Sequence, residues 1–289
     1  MLRCYDSAVS PSISVVIPTR NRAVILRETL EALFSAAPQH GTTLEVLVVE
    51  DGDGEALDVA LACLDRPLRV LRSGGRGAAA ARNLGAAAAR HELLVFLDDD
   101  IILTPGSLQR HLDTHGRFPR ALVSGVARPD GHVLQEAERT ASLGDGVFPV
   151  AKVASFNLSV PRQDFAAIEG FDERFPFAWS EDQEFCFRAS ARGLEMLVDE
   201  GIPCLHKEAD RLRSEAWLRR QLLSRKALVA TLAARPSRVF LLRALQVLER
   251  WGVPDPIVFK GYHLLWAIHT HSGVREGLRR LAPVQAPGA

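Results

Sequence analysis

Apolar residues in the first hundred positions fall into short unbroken blocks separated by stretches of helical spacing. ISVVIPT, at 13–19, is an apolar block stopped by Pro18 and reads as a buried strand. After it Asn21 can cap a helix whose apolar positions Ala23, Leu26, Leu30, Leu33 and Ala37 recur at helical intervals. LEVLVVE, at 44–50, is a second strand, closed by the turn Asp51-Gly52-Asp53-Gly54. A helix over 57–64, a short strand at 68–72 and a glycine-rich turn at 73–77 lead into an alanine-rich helix over 78–90. That helix delivers the chain to ELLVFL, a strand that runs straight into Asp98, Asp99 and Asp100.

The strands are apolar throughout rather than alternating, and they alternate with helices over short connections. Both features predict an α/β fold with a mostly parallel sheet covered on both faces. Ligands of such sheets bind beyond the carboxyl ends of the strands. Here those ends carry Thr19 with Arg20, Glu50 with Asp51, and the three aspartates, so the three sets should meet at one rim. The pattern loosens over 125–150, which reads as loop-rich. Order returns at KVASFNLSVPRQDF, followed by FDERF and a helix at 181–193. Beyond Leu205 the sequence turns helical and rich in arginine, with RLRSEAWLRRQLLSRK and then Arg279 and Arg280.

Composition narrows the classes. With 289 residues, 47% hydrophobic and 24% charged, the chain is globular, either one elaborated α/β unit or two closely joined domains. Lys plus Arg and Asp plus Glu both count 35, so the balance gives no support to a nucleic-acid partner or to membrane binding by charge alone. Cys4, Cys63, Cys186 and Cys204 lie far apart without a CxxC pair, which argues against zinc and a disulfide scaffold and fits a reducing, cytoplasmic setting. The N-terminus lacks the pattern of a signal peptide, and no run approaches the ~18 apolar residues needed to span a bilayer.

Three carboxylates at the end of a buried strand are either a solvated turn or a cation site. Adjacent carboxylates repel unless screened, and Asp98 and Asp100 can face one pocket if the strand stays extended. Hard oxygen ligands suit Mg²⁺ or Mn²⁺, with substrate phosphates completing the shell. A divalent ion bridging diphosphate oxygens would act as a Lewis acid for a diphosphate leaving group. Arg72, Arg76 and Arg82 surround the glycine turn that opens a helix; they either contact phosphate or flank a flexible loop.

Taken in order, ISVVIPTRNR, LEVLVVEDGDGEA, GAAAARNLGAAAAR, FLDDD and FNLSVPRQDFAAIEGFDERFPFAWSEDQEFCFRASARG resemble the family 2 glycosyltransferases, over roughly 12–206. The resemblance implies a GT-A fold, a Rossmann-like mostly parallel central sheet flanked by helices. It further implies a nucleotide-sugar-binding subdomain at 1–125, an acceptor-binding and catalytic subdomain at 126–207, and a C-terminal helical extension at 208–289. The implied activity is metal-dependent, inverting, hexosyltransferase-like transfer from a UDP-, GDP- or dTDP-linked sugar to a hydroxyl of a glycan, lipid-linked or small-molecule acceptor. Polysaccharide or cell-envelope glycan synthesis would be the setting.

By the same resemblance the DxD motif, which binds the metal with the sugar nucleotide, is Asp98 and Asp100, both metal ligands, Asp98 nearer ribose and sugar, Asp100 nearer the metal, with Asp99 the variable middle residue. Pro18, Thr19 and Arg20 match the nucleoside-binding start. Asp51 matches the acid that recognises the base, although Glu50 stands where an Asp is usual and Gly52-Asp53 where Gly-Ser is usual. Arg82 and Asn83 match an RN pair at the donor pocket, with Arg76 nearby. Asp182 matches the catalytic base, Glu181 its partner at the acceptor, and Asn157 a segment near the donor sugar. Trp179 either stacks on a sugar or is buried, His206 resembles a histidine that joins the metal or diphosphate in some members, and Arg188 is read as structural. The C-terminal helices pack on the core or dock at the inner membrane face. Two other readings stay open: a non-catalytic nucleotide-sugar-binding assembly partner, and a sugar nucleotidyltransferase, although no lysine follows the first strand until Lys152.

Overall fold

The computed structural model describes residues 12–38, 41–52, 54–62, 64–128, 142–150, 152–175 and 181–207. Its elements are β1 (Ser12–Thr19), α1 (Ala23–Ser35), β2 (Thr43–Glu50), α2 (Glu55–Leu61), β3 (Arg69–Arg72), α3 (Ala78–Ala88), β4 (Leu93–Leu97) and β5 (Ile101–Leu103). They continue as α4 (Ser107–Arg117), β6 (Ala121–Arg128), β7 (Val147–Pro149), β8 (Asn157–Pro161), α5 (Arg162–Ala167), α6 (Glu181–Ala191) and β9 (Glu195–His206). Nine strands form one sheet in the order β3-β2-β1-β4-β8-β6-β9-β5, with β7 also on β9.

The β3-β2-β1-β4 half is parallel, as the strand–helix alternation predicts. β8 then enters antiparallel between β4 and β6, while β6 and β9 run parallel to each other. Alternation along β1 and β2 feeds both faces: Val16, Leu47 and Val49 pack with α3 and α6, whereas Val15, Ile17, Val46 and Val48 pack with α1. The alanines of α3 allow that helix to lie close on the sheet. A Cβ on Gly85 would sit 2.3 Å from Val16 Cγ1, so the approach is set by a residue without a side chain.

Several expected boundaries move. Asn21 does not cap α1; it adopts φ 55, a left-handed conformation that asparagine tolerates, and Arg22 becomes the N-cap. β4 stops at Leu97, and 98–100 form a turn closed by Ile101 N–H on the Asp98 carbonyl at 3.3 Å, because the chain must reverse to pair β5 with β9. Asp98 and Asp100 therefore do not alternate along an extended strand. The span expected to be loop-rich contains β6, which runs through Gly125 to Arg128, and β7. Cys186 and Cys204 are free and buried. Among the described residues no helix is long and apolar enough to cross a membrane. Trp179 and the C-terminal helices expected at 208–289 lie outside the described residues.

Candidate active site

The strand ends do meet. Asp51 N–H donates to the Thr19 carbonyl at 2.8 Å, and Ser73 N–H to the Glu50 carbonyl at 2.9 Å, so β1, β2 and β3 finish level. Pro18 lies opposite Val49 in this register. Glu50 is buried and its carboxylate accepts from the Gly52 N–H at 2.7 Å and the Asn21 N–H at 3.2 Å, which shapes the loop after β1. Asp51 accepts from Ser73 Oγ at 2.5 Å and from the Gly77 N–H at 3.0 Å, and thereby satisfies an orphan donor at the start of α3; Arg20 lies 3.7 Å away, mostly exposed.

The turn at 98–100 sends its three carboxylates in three directions. Asp99 is buried and held by Thr19 Oγ1 at 2.7 Å and by Arg22, and Thr29 Oγ1 donates to its carbonyl at 2.7 Å. Burial drives its pKa up to about 7 against the pull of Arg22 and Thr19. Asp100 lies between Arg22 Nη2 at 3.1 Å and His206 Nε2 at 3.2 Å. Burial alone would raise its pKa, but hydrogen bonding and charge from His206 and Arg22 outweigh it and hold the carboxyl below its usual range. Asp98 keeps 29% of its side chain exposed and accepts from Arg82 Nη2 at 2.7 Å.

Arg82 joins the two sides of the site. Its guanidinium is 2% exposed and also donates through Nη1 to Glu181 Oε1 at 2.8 Å. Burial would lower its pKa; Asp98 and Glu181 more than compensate, so it stays charged. Glu181 is buried, and its pKa is raised by burial against the pull of Arg82; its second oxygen, Oε2, has no hydrogen-bond partner among the described residues. Asp182 is half-buried at the first turn of α6, accepts from the Gln183 N–H at 2.8 Å, and has a pKa raised first of all by burial.

Other expected site residues are already engaged. Arg72 pairs with Asp58 at 2.8 Å and Arg76 with Glu173. Asn83 clamps the loop before the ED pair: it donates to the Phe171 carbonyl at 2.8 Å and to Glu173 at 3.0 Å, and accepts from the Phe171 N–H at 2.9 Å. Arg188 fastens the same loop from α6 through the carbonyls of Ile168 and Gly170. Asn157 lies beside Leu97 at the carboxyl end of β4 and is fully buried, with Oδ1 on His111 Nε2 at 3.0 Å. Sequence reasoning missed Arg22, whose signal was a cation one residue before a helix and facing an acidic strand end. It also missed His111 and His115, one turn apart on α4.

Asp100 and His206 bring a carboxylate and an imidazole side by side, and the charge of Asp98 also acts on His206. Among the described residues no group of three or more His, Cys, Asp or Glu is placed to hold a metal unaided. One carboxylate with one imidazole suits a divalent ion that draws its remaining oxygens from diphosphate and water. In that sense the residues fit Mg²⁺ or Mn²⁺.

Residues 14–154 match the family model described as glycosyl transferase family 2. The validoxylamine A glucosyltransferase of Streptomyces hygroscopicus subsp. limoneus is 32% identical, over 68% of this chain and 52% of that protein. The hyaluronan synthase of Pasteurella multocida is 25% identical over 68% of this chain and 24% of its own length. This chain spans about half the length of the glucosyltransferases it matches. Among solved structures, the mannosyltransferase PcManGT of Pyrobaculum calidifontis, in complex with GDP-Man and Mn²⁺, aligns with TM-score 0.60 at 20% identity, over 95% of this chain and 79% of its own. S. aureus TarS 1-349 in complex with UDP-GlcNAc aligns with TM-score 0.55 at 16% identity, over 75% and 66%.

Proposed function

Since the chain belongs to glycosyl transferase family 2 and has the GT-A fold, we propose that it transfers a sugar from a nucleoside-diphosphate sugar to an acceptor hydroxyl with inversion at the anomeric carbon. The observation that carries this reading is the buried Arg82 guanidinium held between Asp98 and Glu181. It fixes a donor-side carboxylate and the ED pair at one locus, where two reacting molecules would have to meet.

The nucleoside would lie over Pro18, Thr19, Arg20, Glu50 and Asp51 at the ends of β1 and β2, with Arg76 on the diphosphate side. Asp98, the aspartate of the turn with the most open surface, would face ribose and sugar. Asp100 and His206 would hold the divalent ion, which supplies charge neutralisation for the departing diphosphate. Solved neighbours carrying GDP-Man, UDP-GlcNAc and Mn²⁺ support this donor class.

Asp182 is the base. Burial raises its pKa, which strengthens it as a proton acceptor while Arg82 keeps it ionisable. Its carboxylate removes the acceptor's hydroxyl proton as that oxygen forms a bond to the anomeric carbon. The bond to the diphosphate oxygen breaks on the opposite face, and its electron pair leaves with the diphosphate. Glu181 Oε2, buried and without a partner among the described residues, is available to a substrate hydroxyl beside the base. The names of the relatives span a small-molecule acceptor and a polysaccharide, and both remain within the proposal.

Asp182→Asn tests it. Initial-rate transfer should fall by ~10² to 10⁴, the usual contribution of a placed base. Donor binding measured by calorimetry with Mn²⁺ should stay near wild type. Unchanged turnover would remove Asp182 from the role.

A further inference from the structure

Arg22 takes no part in that proposal, yet its two terminal nitrogens reach two neighbouring aspartates. Nη1 donates to Asp99 and Nη2 to Asp100 at 3.1 Å, from a side chain 22% exposed. The left-handed turn at Asn21 and the N-cap position of Arg22 bring that side chain back over the strand ends. Asp99 is a fixed anchor, since Thr19 holds its carboxylate and Thr29 its carbonyl. Asp100 is bound less closely. Its backbone carbonyl accepts from Lys207 N–H at 3.0 Å, and its side chain is shared by Arg22 and His206.

We infer that Arg22 is a built-in counter-cation whose outer nitrogen competes with the divalent ion for Asp100. This rests on the reading in which Asp100 and His206 hold the metal. A free divalent ion must take Asp100 from a guanidinium and remain beside its positive charge. An ion that arrives on a nucleoside diphosphate comes with its charge cancelled, and that repulsion is largely removed. Arg22 therefore weakens loading by the free ion and favours loading with the donor. A purely structural arginine predicts the opposite consequence of its removal, because loosening the turn would weaken metal binding.

The test is a titration with Mn²⁺ alone, followed by the electron paramagnetic resonance of the free ion, on wild type, Arg22→Gln, Arg22→Lys and Asp100→Asn. Arg22→Gln should bind Mn²⁺ about tenfold more tightly, the equivalent of one charge-assisted hydrogen bond removed from the metal-free state. Arg22→Lys keeps a cation for Asp99 but cannot span both carboxylates, and should tighten binding by roughly threefold. It also serves as the test if the glutamine variant fails to fold. Asp100→Asn should abolish binding. Equal or weaker binding in the Arg22 variants, with Asp100→Asn still abolishing it, overturns the role of Arg22 alone. Equal binding by all four proteins, or by none, defeats the metal assignment and this inference with it.

Discussion

His111 and His115 offer a prediction whose sign and size follow from hydrogen bonding. His111 Nε2 faces Asn157 Oδ1 at 3.0 Å, and an amide oxygen only accepts, so Nε2 carries the proton. Nδ1 must then accept, and Ser159 Oγ donates to it at 2.8 Å in preference to the Val123 carbonyl, the longer alternative at 3.3 Å. With that hydroxyl proton used, His115 Nε2 donates to Ser159 Oγ at 2.9 Å. Both rings are neutral. A second proton on His115 would sit on Nδ1, which is buried and has no acceptor among the described residues. The groups around the pair agree: Asn157 and Ser159 on β8 are neutral, and Asp199 on β9 is already taken by Arg110 at 2.8 Å and Thr114 at 2.6 Å. Burial accordingly carries His111 down to about 4 and His115 to about 3.

A histidine whose folded pKa lies below its unfolded value binds more protons in the unfolded chain. Its contribution to stability is complete above the unfolded pKa, near 6.5, and falls as the pH drops through that value until the folded pKa is reached. From about pH 7.5 to about pH 5 each neutral histidine should cost ~2 kcal/mol. The raw acid titration is not a clean assay, because Asp99, raised to about 7, gains stability over the same window as it protonates in the fold. The difference between wild type and His115→Gln isolates the term, since glutamine can donate to Ser159 and does not titrate. Urea unfolding at the two pH values should show wild type losing ~2 kcal/mol relative to the variant on acidification. A constant difference between the two proteins would refute the neutral-ring assignment.

Arg82→Lys keeps the charge but cannot reach both Asp98 and Glu181, so transfer should drop by at least ~10² and urea unfolding should show a loss of ~3 kcal/mol; near-wild-type values for both would show that the bridge is dispensable. Gly125→Ala should destabilise by ~1 to 3 kcal/mol, because its Cβ would lie 2.5 Å from both Asn157 Nδ2 and the Ile202 carbonyl oxygen, and a thermal melt within a degree of wild type would contradict that crowding.

The parallel half of the sheet and the meeting of its strand ends were legible because they are local. Each β-α-β step is encoded by an apolar block, a helical stretch and a short connection, and Thr19, Asp51 and Asp98 come to the rim by register alone. What escaped is non-local. β8 slips antiparallel between β4 and β6 from about sixty residues further on, and no spacing within NLSVP announces that partner. Asn157, matched to an acceptor-side segment by a linear motif, is the first residue of β8 and turns its amide oxygen to His111 of α4, a partner that no local spacing announces. Whether the strand stays extended through the three aspartates is not legible locally, because the reversal into β5 depends on a pairing with β9, a hundred residues away.

That reversal changes what three adjacent carboxylates mean. On a strand, Asp98 and Asp100 would have pointed into one pocket and Asp99 away from it, with the paired charges waiting for a cation. In the turn each carboxylate meets its own partner: Arg82 for Asp98, Arg22 and Thr19 for Asp99, and Arg22 with His206 for Asp100. Each carboxylate therefore has a protein donor before any ligand arrives, which reduces the repulsion that three uncompensated buried charges would impose. The cost falls on binding, because whatever approaches Asp98 or Asp100 must compete with a protein cation already there. For Asp98 that cation also holds Glu181 next to Asp182, the proposed base, so on that proposal occupancy of the donor side and the set of the acceptor side meet at one guanidinium. Substitutions at Arg82 should consequently disturb donor affinity and turnover together, whereas those at Arg22 should act first on binding of the free metal and, through it, on how strongly donor binding depends on the ion.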